Sequence, residues 1–520
     1  MSTSTVREIT LDFLRRAGMK TLFGNPGSTE LPMFRDFPDD FRYVLGLQES
    51  VVLGMADGFA QATRNAALVN LHSAVGVGHA AGNLFTAFKN QTPLVITAGQ
   101  QARAILPFEP FLFAERATEF PRPYVKWAAE PARAEDVPAA IERAYHVAME
   151  PPCGPTFVSV PVDDWDRACG RLAPRRVAAR NPGDPSALTA VAEALATARM
   201  PAIVVGAGVA RDQAWAEVIE LAERHRAAVW TAPFAARNGF PEDHPLYQGF
   251  LDPSREGIVR KLSRYDFVLV LGGPLSLYHT EGVGPHLAET TRLVLIADNP
   301  VFGSWAPVGD AIVADTKLAL RTLLAGPTPP ARDKPLGRTQ LESLDGAAFT
   351  DAYLLQELAR LRPRGSIIVE EAPSSRGAMH DRLPIVAPDT FYTCASGGLG
   401  HGLPAAVGVA LGRPDEKVIA LLGDGSAMYS IQGLWSAAEL GLPVSFVIVK
   451  NNRYEALKSF GRHFGLQRTV GTELPRLDFV ALAGGQGVEG RRAQGRADLA
   501  EALAWSFAAR APTLVEVVVE

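Results

Sequence analysis

Short, nearly unbroken apolar runs recur along this chain. Each gives way to a stretch where apolar residues return every three or four positions. TLFG, YVLGLQ, AALVNLH, TPLVITAG and PTFVSVPV are the runs of the first third. PAIVVGAG, AAVWTAP, FVLVLGG and LVLIADN follow in the middle, then SIIVEEA, KVIALLGD, VSFVIVKN and TLVEVVVE in the last. Such runs lack the alternation of a one-sided sheet, so they predict strands buried on both faces. The helical periods between them, SVVLGMADGFAQAT for example, make the sheets parallel. The amino-terminal MSTSTVREITLDFLRRAG predicts a capped amphipathic helix, without the apolar core of a signal peptide.

Two stretches break the pattern: RLAPRRVAARNPGDPS at 171–186 and AGPTPPARDKPLGRTQ at 325–340. Rich in Pro, Arg and Gly and without period, they read as linkers. They divide the chain into α/β domains at 1–175, 186–328 and 345–520, each a doubly wound parallel sheet. The first closes on PPCGPTFVSVPV and the last on AARAPTLVEVVVE, each after an amphipathic helix. Two related domains flanking a different one is one explanation; convergence on a common strand ending is the other.

Composition narrows the class. With 520 residues, 47% hydrophobic and 21% charged, the chain is a multidomain globular protein, not a disordered one. Its 51 basic and 56 acidic residues give a net charge of −5, which offers no electrostatic footprint for nucleic acid or an anionic membrane surface. No apolar run is long enough to span a bilayer. Cys153, Cys169 and Cys394 show no CxxC spacing and cannot all pair, so buried thiols in a reducing, cytoplasmic setting are expected.

Glycine-rich strand ends are where α/β proteins hold phosphates, because backbone N–H groups and the helix dipole favour negative charge there. The chain offers GNPGST at 24–29, VVGAGVAR at 204–211, ASGGLGHGLP at 395–404 and GDGS at 423–426. None has the Lys-Ser/Thr of a Walker A loop, and the GAGVAR stretch has an arginine where a dinucleotide fingerprint wants its third glycine. Each taken alone is equally a simple turn. GDGS differs in carrying a hard oxygen ligand. Asp424 ends one strand and Asn451, 27 residues on, ends the next. One strand–helix–strand unit sets them side by side at one sheet edge. A carboxylate and an amide oxygen suit magnesium, which keeps its other positions for water or phosphate.

GDG followed at this interval by the Asn451-Asn452 pair resembles the diphosphate-binding signature of thiamine-diphosphate-dependent enzymes. The resemblance implies a three-domain α/β fold, thiamine diphosphate, and Mg²⁺ (or Ca²⁺) on Asp424, Asn451 and the carbonyl of Arg453. Gly425, Ser426 and Tyr454 would lie near the diphosphate, with Ser374, Gly397 and Leu399 against the rest of the cofactor. The first domain would bind the pyrimidine end and the third the diphosphate and metal. "GLQESVVLGMADGFAQAT" then supplies Glu49, matching the family's strand-end glutamate followed by A-D-G-x-A. Without the resemblance, a glutamate at a helix start is an ordinary dipole partner. With it, Glu49 is the carboxylate that exchanges a proton with the aminopyrimidine ring, favoured by its apolar neighbours. The family draws this glutamate and the metal site from different subunits, so a homo-oligomer is implied, a dimer or the usual tetramer of two dimers.

Within that family the chain is most similar to the benzoylformate decarboxylase group, across nearly its whole length. "TLFGNPGSTELPMFRDFPDDFRYVLGLQES", "ALVNLHSAVGVGHAAGNL" and "GDGSAMYSIQGLWSAA" carry the likeness. It implies a small-molecule 2-oxo acid substrate, with Ser28 on its carboxylate and His72 and His279 moving protons, one at adduct formation and one at aldehyde release. On their own, His72 reads equally as a structural histidine and His279 as a solvated loop residue. Ala456, Leu457 and Phe460 agree with the group's aromatic pocket. Phe111 beside Leu112 and Thr393 depart from it, Thr393 replacing a phenylalanine and Phe111 a leucine. Glu371-Ala372-Pro373-Ser374 also replaces a Thr/Ser-rich stretch. The expected reaction is non-oxidative decarboxylation of an aromatic or bulky 2-oxo acid to an aldehyde. Carboligation by the same cofactor is an alternative, and a nucleotide-binding oxidoreductase using the VVGAG loop is a second.

Overall fold

The computed structural model describes residues 4–339, 341–346 and 348–520. Met1–Thr3 of the amino-terminal stretch and Gln340 of the second linker lie outside the described residues. Three sheets of six strands organise the chain. The first uses β1 (Thr21–Gly24), β2 (Arg42–Leu45), β3 (Ala67–Leu71), β4 (Leu94–Gln100), β5 (Ala128–Ala129) and β6 (Pro155–Pro161), in the order β2-β1-β3-β4-β6-β5. The second has β7 (Pro201–Val205), β8 (Ala228–Thr231), β9 (Tyr247–Phe250), β10 (Phe267–Leu271), β11 (Arg292–Ala297) and β12 (Asp310–Val313), in the order β12-β11-β10-β7-β8-β9. In the third are β13 (Ile367–Glu371), β14 (Phe391–Thr393), β15 (Val418–Gly423), β16 (Val444–Lys450), β17 (Glu489–Ala493) and β18 (Thr513–Val518). From its first strand inward the third sheet runs β13-β15-β16-β18-β17, which repeats the β1-β3-β4-β6-β5 run of the first sheet strand for strand. That shared order favours true internal repetition over convergent strand endings.

The central strands are parallel and buried except at the last residue of β15, β16 and β18, as their continuous apolar runs require. Thr5 caps the Val6–Arg16 helix in a reciprocal box with Glu8. None of the three cysteines forms a disulfide, but only Cys394 is buried; Cys153 and Cys169 are half-exposed, a correction to the expected buried thiols. Among the described residues no helix is long and apolar enough to cross a membrane.

Contacts group the chain into two compact units, one formed by the residues up to Ala178 with Ile368–Ser374 and Ser396–Glu520, the other by Ala179–Ile367 with Ser375–Ala395. Inside the first unit, the Glu49–Thr63 helix crosses the Gly402–Gly412 helix at very short range. A Cβ on Gly58 would stand 2.1 Å from the Ala405 carbonyl oxygen, and one on Gly408 only 1.9 Å from that of Met55. Neither backbone can retreat without separating the helices. Gly408→Ala is therefore expected to cost about 3 kcal/mol, the upper range for overpacking, read from the urea midpoint.

A buried ion pair sits at the same crossing. Asp57 accepts hydrogen bonds from Gln61, Asn90, Thr92 and, at 2.7 Å, from His401 Nε2. Burial opposes both charges, yet the pairing wins: the Asp57 carboxyl is held below its ordinary range and the His401 imidazole above its own. Next to it, Glu371 at the end of β13 accepts the backbone N–H groups of Gly400, His401 and Gly402. Burial nonetheless pushes its carboxyl up to about 7. These contacts anchor the loop leading into the second helix.

Candidate active site

The first functional cluster lies at the carboxyl edge of the first sheet. Glu49 opens its helix directly after β2, and Gln48 caps that helix by accepting from Ser50 N at 2.7 Å and Val51 N at 3.2 Å. Glu49 is 8% exposed. Its Oε2 lies 3.1 Å from His79 Nδ1, and its Oε1 faces Gly76, where a Cβ would come within 3.3 Å. The same Gly76 Cβ position lies 3.5 Å from Cβ of His72, so Gly76 separates the two predicted residues and makes them neighbours.

His72 closes β3 and begins the Ser73–Asn90 helix. Its Nδ1 lies 2.8 Å from Glu30 Oε2 and 3.4 Å from Thr29 Oγ1. Glu30 is 1% exposed and holds more donors: Gly99 N at 2.9 Å, Gly27 N at 3.0 Å and Thr29 Oγ1 at 2.7 Å. A carboxylate at Nδ1 favours the tautomer with its proton there and leaves Nε2 as the nitrogen able to accept one. The approach depends on glycine: a Cβ on Gly27 would lie 2.0 Å from His72 Nδ1. Ser28, in the same turn, is exposed beside Thr29. Ser73 donates its hydroxyl to the Leu112 carbonyl at 2.8 Å, which carries the 101–127 loop to this edge. Both residues hold left-handed backbone, at φ +46° and +63°, strain that clusters at working sites. Phe111, next to Leu112, is 86% exposed.

The second cluster lies at the carboxyl edge of the third sheet. Strands β15 and β16 are neighbours in register, with Gly423 opposite Val449, so Asp424 and Asn451 emerge together as their spacing predicted. Asp424 Oδ2 accepts from Asn451 N at 3.1 Å and Asn452 N at 2.7 Å, and Oδ1 from Gly425 N at 2.7 Å. Burial pushes its carboxyl up, against those donors. Asn451 Oδ1 accepts Arg453 N at 3.1 Å. The bonds on either side of Arg453 are Tyr454 N to Thr472 O and Leu474 N to Asn452 O, and among the described residues its carbonyl accepts no backbone N–H. The Tyr454 ring fills the space over Gly425, where a Cβ would lie 2.2 Å from the ring. Ser426 is buried in the same short helix.

Among the described residues, no group of three His, Cys, Asp or Glu side chains gathers as a metal cluster. The set at Asp424 has one carboxylate with an amide and a carbonyl oxygen. That suits a hard cation sharing its charge with phosphate oxygens. The residues present therefore fit a cation–diphosphate pair.

The remaining predicted residues are more scattered. Ala456, Leu457 and Phe460 lie on the Glu455–His463 helix, Leu457 being 52% exposed and Phe460 stacked on Phe464. Gly397 has φ +71°, in a loop with Leu399 that is tied to the Ser73–Asn90 helix by Thr86 Oγ1 to Ser396 Oγ and Asn83 Nδ2 to the Gly400 carbonyl. Ser374 is exposed after β13. His279 and Thr393 belong to the second unit. There, His279 is exposed with its ring edge-on to Phe234, and Thr393 is buried in β14, accepting from Arg376 Nη2 at 2.9 Å. The glycines of the VVGAG loop are filled by protein. A Cβ on Gly206 or Gly208 would lie 2.7 Å or less from backbone of Gly272 or Gly273, so these glycines serve packing of two strand ends.

Reading residue by residue missed Glu30, His79, Asp57 and His401. His79 had one signal: it follows His72 by seven residues, two turns along the same helix face. Asp57 stood inside the matched A-D-G-x-A motif without a role of its own, and Glu30 and His401 had no signal, because only the fold brings their partners to them.

The comparisons with known proteins agree over the whole chain. Residues 4–115 match the model for the N-terminal TPP binding domain of thiamine pyrophosphate enzymes, 188–323 the central domain and 374–517 the C-terminal TPP binding domain. A benzoylformate decarboxylase of Pseudomonas aeruginosa is 41% identical over 99% of this chain and 98% of its own length. The crystal structure of benzoylformate decarboxylase from Polynucleobacter necessarius superposes with a TM-score of 0.97 at 39% identity, covering 99% and 98% of the two chains. A thiamine diphosphate-dependent 4-hydroxybenzoylformate decarboxylase from Rhodococcus jostii gives 0.96 at 40% identity, covering 99% of each.

Proposed function

The chain belongs to the thiamine pyrophosphate enzyme family, and from that premise we propose that it decarboxylates an aromatic or similarly bulky 2-oxo acid without oxidation, releasing an aldehyde. The observation that carries this reading is the full-length, 41% identity to a benzoylformate decarboxylase. Thiamine diphosphate, when bound, supplies a nucleophilic carbon and an electron sink for the departing carbon dioxide.

The chain's residues do the rest. Asp424, Asn451 and the Arg453 carbonyl would hold Mg²⁺ (or Ca²⁺), Gly425, Ser426 and Tyr454 would bind the diphosphate, and Ser374, Gly397 and Leu399 would contact the rest of the cofactor. Glu49 holds and releases a proton at its carboxyl oxygens. Ser28 grips the substrate carboxylate through its hydroxyl. His72 takes and returns a proton at Nε2, its Nδ1 being occupied by Glu30. His279 is the second proton carrier. Phe111, Leu112, Thr393, Ala456, Leu457 and Phe460 shape the substrate pocket and exclude water, which favours loss of a solvated carboxylate.

The same reading assigns pyrimidine binding to 1–175, a central α/β domain to 186–328 and diphosphate and metal binding to 345–520. It also requires at least a dimer, and a tetramer is the expected assembly. Support comes from apolar side chains left open in one chain, among them Phe108 at 79%, Phe111 at 86% and Leu457 at 52% exposure. Three cysteines outside any disulfide suit a reducing, cytoplasmic setting.

The test is a panel of aromatic, branched and linear 2-oxo acids with added thiamine diphosphate and magnesium, following carbon dioxide and aldehyde. Aromatic acids should turn over fastest. Silence across the panel would overturn the reading, and hydroxyketone accumulating in place of aldehyde would make carboligation the main reaction. A second outcome concerns His72. Glu30→Gln keeps the volume but removes the charge that fixes the tautomer, so kcat is expected to fall by roughly 10²-fold with KM nearly unchanged.

A further inference from the structure

The two oxygens of Glu49 are not equivalent, and the difference comes from a histidine outside the assigned machinery. Oε2 lies 3.1 Å from His79 Nδ1, whereas Oε1 makes no hydrogen bond among the described residues and faces Gly76, where a Cβ would stand 3.3 Å from it. His79 is itself held from behind, its carbonyl accepting from Gln48 Nε2 at 3.5 Å. Consecutive residues at the start of one helix thus grip the same position on the next. The His79 side chain is 57% exposed and that of Glu49 10%, so the ring reaches from solvent to the edge of a nearly buried carboxyl. An Nδ1–H donor on Oε2 stabilises the ionised form once a proton has left, and it pins the rotation of the carboxyl group.

We propose that His79 is a positioning residue for Glu49: its Nδ1–H holds Oε2 and leaves Oε1 as the oxygen that exchanges a proton with the cofactor's ring. The proposal rests on the reading of Glu49 given above. One proton moves, from Oε1 to a ring nitrogen and back, and the Nδ1–H bond is kept throughout. Contact with the cofactor is not required of His79, so cofactor affinity should not depend on it.

The experiment uses full-length protein reconstituted with thiamine diphosphate and Mg²⁺, without substrate. Cofactor affinity is read from tryptophan fluorescence, apoprotein stability from thermal melting, and proton exchange at the thiazolium carbon by rapid quench into deuterium oxide. His79→Leu removes the donor at similar volume; His79→Asn keeps an N–H donor on a short side chain. His79→Leu is expected to slow exchange by about tenfold, the worth of one charge-assisted hydrogen bond, with affinity within about twofold and melting unmoved. His79→Asn should recover most of the rate. Parental exchange in His79→Leu would overturn the proposal, as would a His79→Asn no faster than His79→Leu. A merely structural role would lower melting and affinity together, which also counts against it. Glu49→Gln is the control: if it exchanges at the parental rate, the reading of Glu49 itself has failed, a result separable from failure at His79 alone.

Discussion

Glutamine in place of Glu49 is expected to lower turnover by about 10³-fold or more while the protein folds as before. The size follows from the role. A positioned acid–base group supplies roughly 10²–10⁴-fold, and here every catalytic cycle needs the cofactor made reactive first. The mildness toward folding follows from the local structure. Gln48, not Glu49, caps the helix, so the N–H groups of Ser50 and Val51 keep their acceptor. What is lost is a carboxylate's interaction with the helix dipole, about 0.3–1 kcal/mol. Glutamine also retains an oxygen that His79 can reach and fills the same space beside Gly76. The substitution therefore removes a titrating proton and little else. Aldehyde formation from the best acid of the panel, set beside a thermal melt, measures both halves. A variant that melts normally yet turns over within about tenfold of the parent would show that Glu49 is not the activating acid.

The strands that sequence patterning found and those it missed differ in one physical respect. Runs such as KVIALLGD and VSFVIVKN lie in sheet interiors, covered on both sides, and their composition announces it. The missed strands are short or polar. β5 is two residues long, and β17 reads EGRRA, partly exposed at its sheet's edge beside β18. An edge strand is free to carry charge and so has no apolar signature. The stretch after GDG, SAMYSIQGLWSAAELG, has no Gly-Pro break to mark its turn, yet two helices form there, Asp424–Met428 and Gly433–Leu440.

Site residues divide the same way. Asp424 and Asn451 were legible because one strand–helix–strand unit fixes their separation. Glu49 was legible as a strand-end acid, and the role proposed for it rests on its motif. The partners that orient these groups come from outside the local pattern: Glu30 from 42 residues before His72, His79 from 30 residues after Glu49, and His401 from 344 residues beyond Asp57. Proximity of that kind is a product of the tertiary fold, and no spacing rule within one element reports it.

Asp424 gives the second large effect, and its two substitutions separate scaffold from ligand. Its carboxylate closes the β15–β16 edge, receiving N–H groups from Gly425, Asn451 and Asn452. Asp424→Ala leaves those donors without an acceptor. Roughly 1–3 kcal/mol is lost for each one that stays buried, so the apoprotein itself should melt lower. Asp424→Asn keeps one acceptor oxygen and the volume, and should lose less. Against a cation the two converge. An amide is a weaker, uncharged ligand, and with Asn451 and a carbonyl as the other donors no formal negative charge remains on the protein side. Thiamine diphosphate and magnesium at about 100 times their dissociation constants should stabilise the parent by roughly 2.7 kcal/mol. At those same concentrations both variants should gain nearly nothing, and turnover should disappear with the gain. Melting curves with and without the two ligands read the scaffold term from the apoprotein and the binding term from the difference. If Asp424→Ala gained as much as the parent, cofactor and metal would be held elsewhere, and Asp424 would be only a clasp between two strand ends.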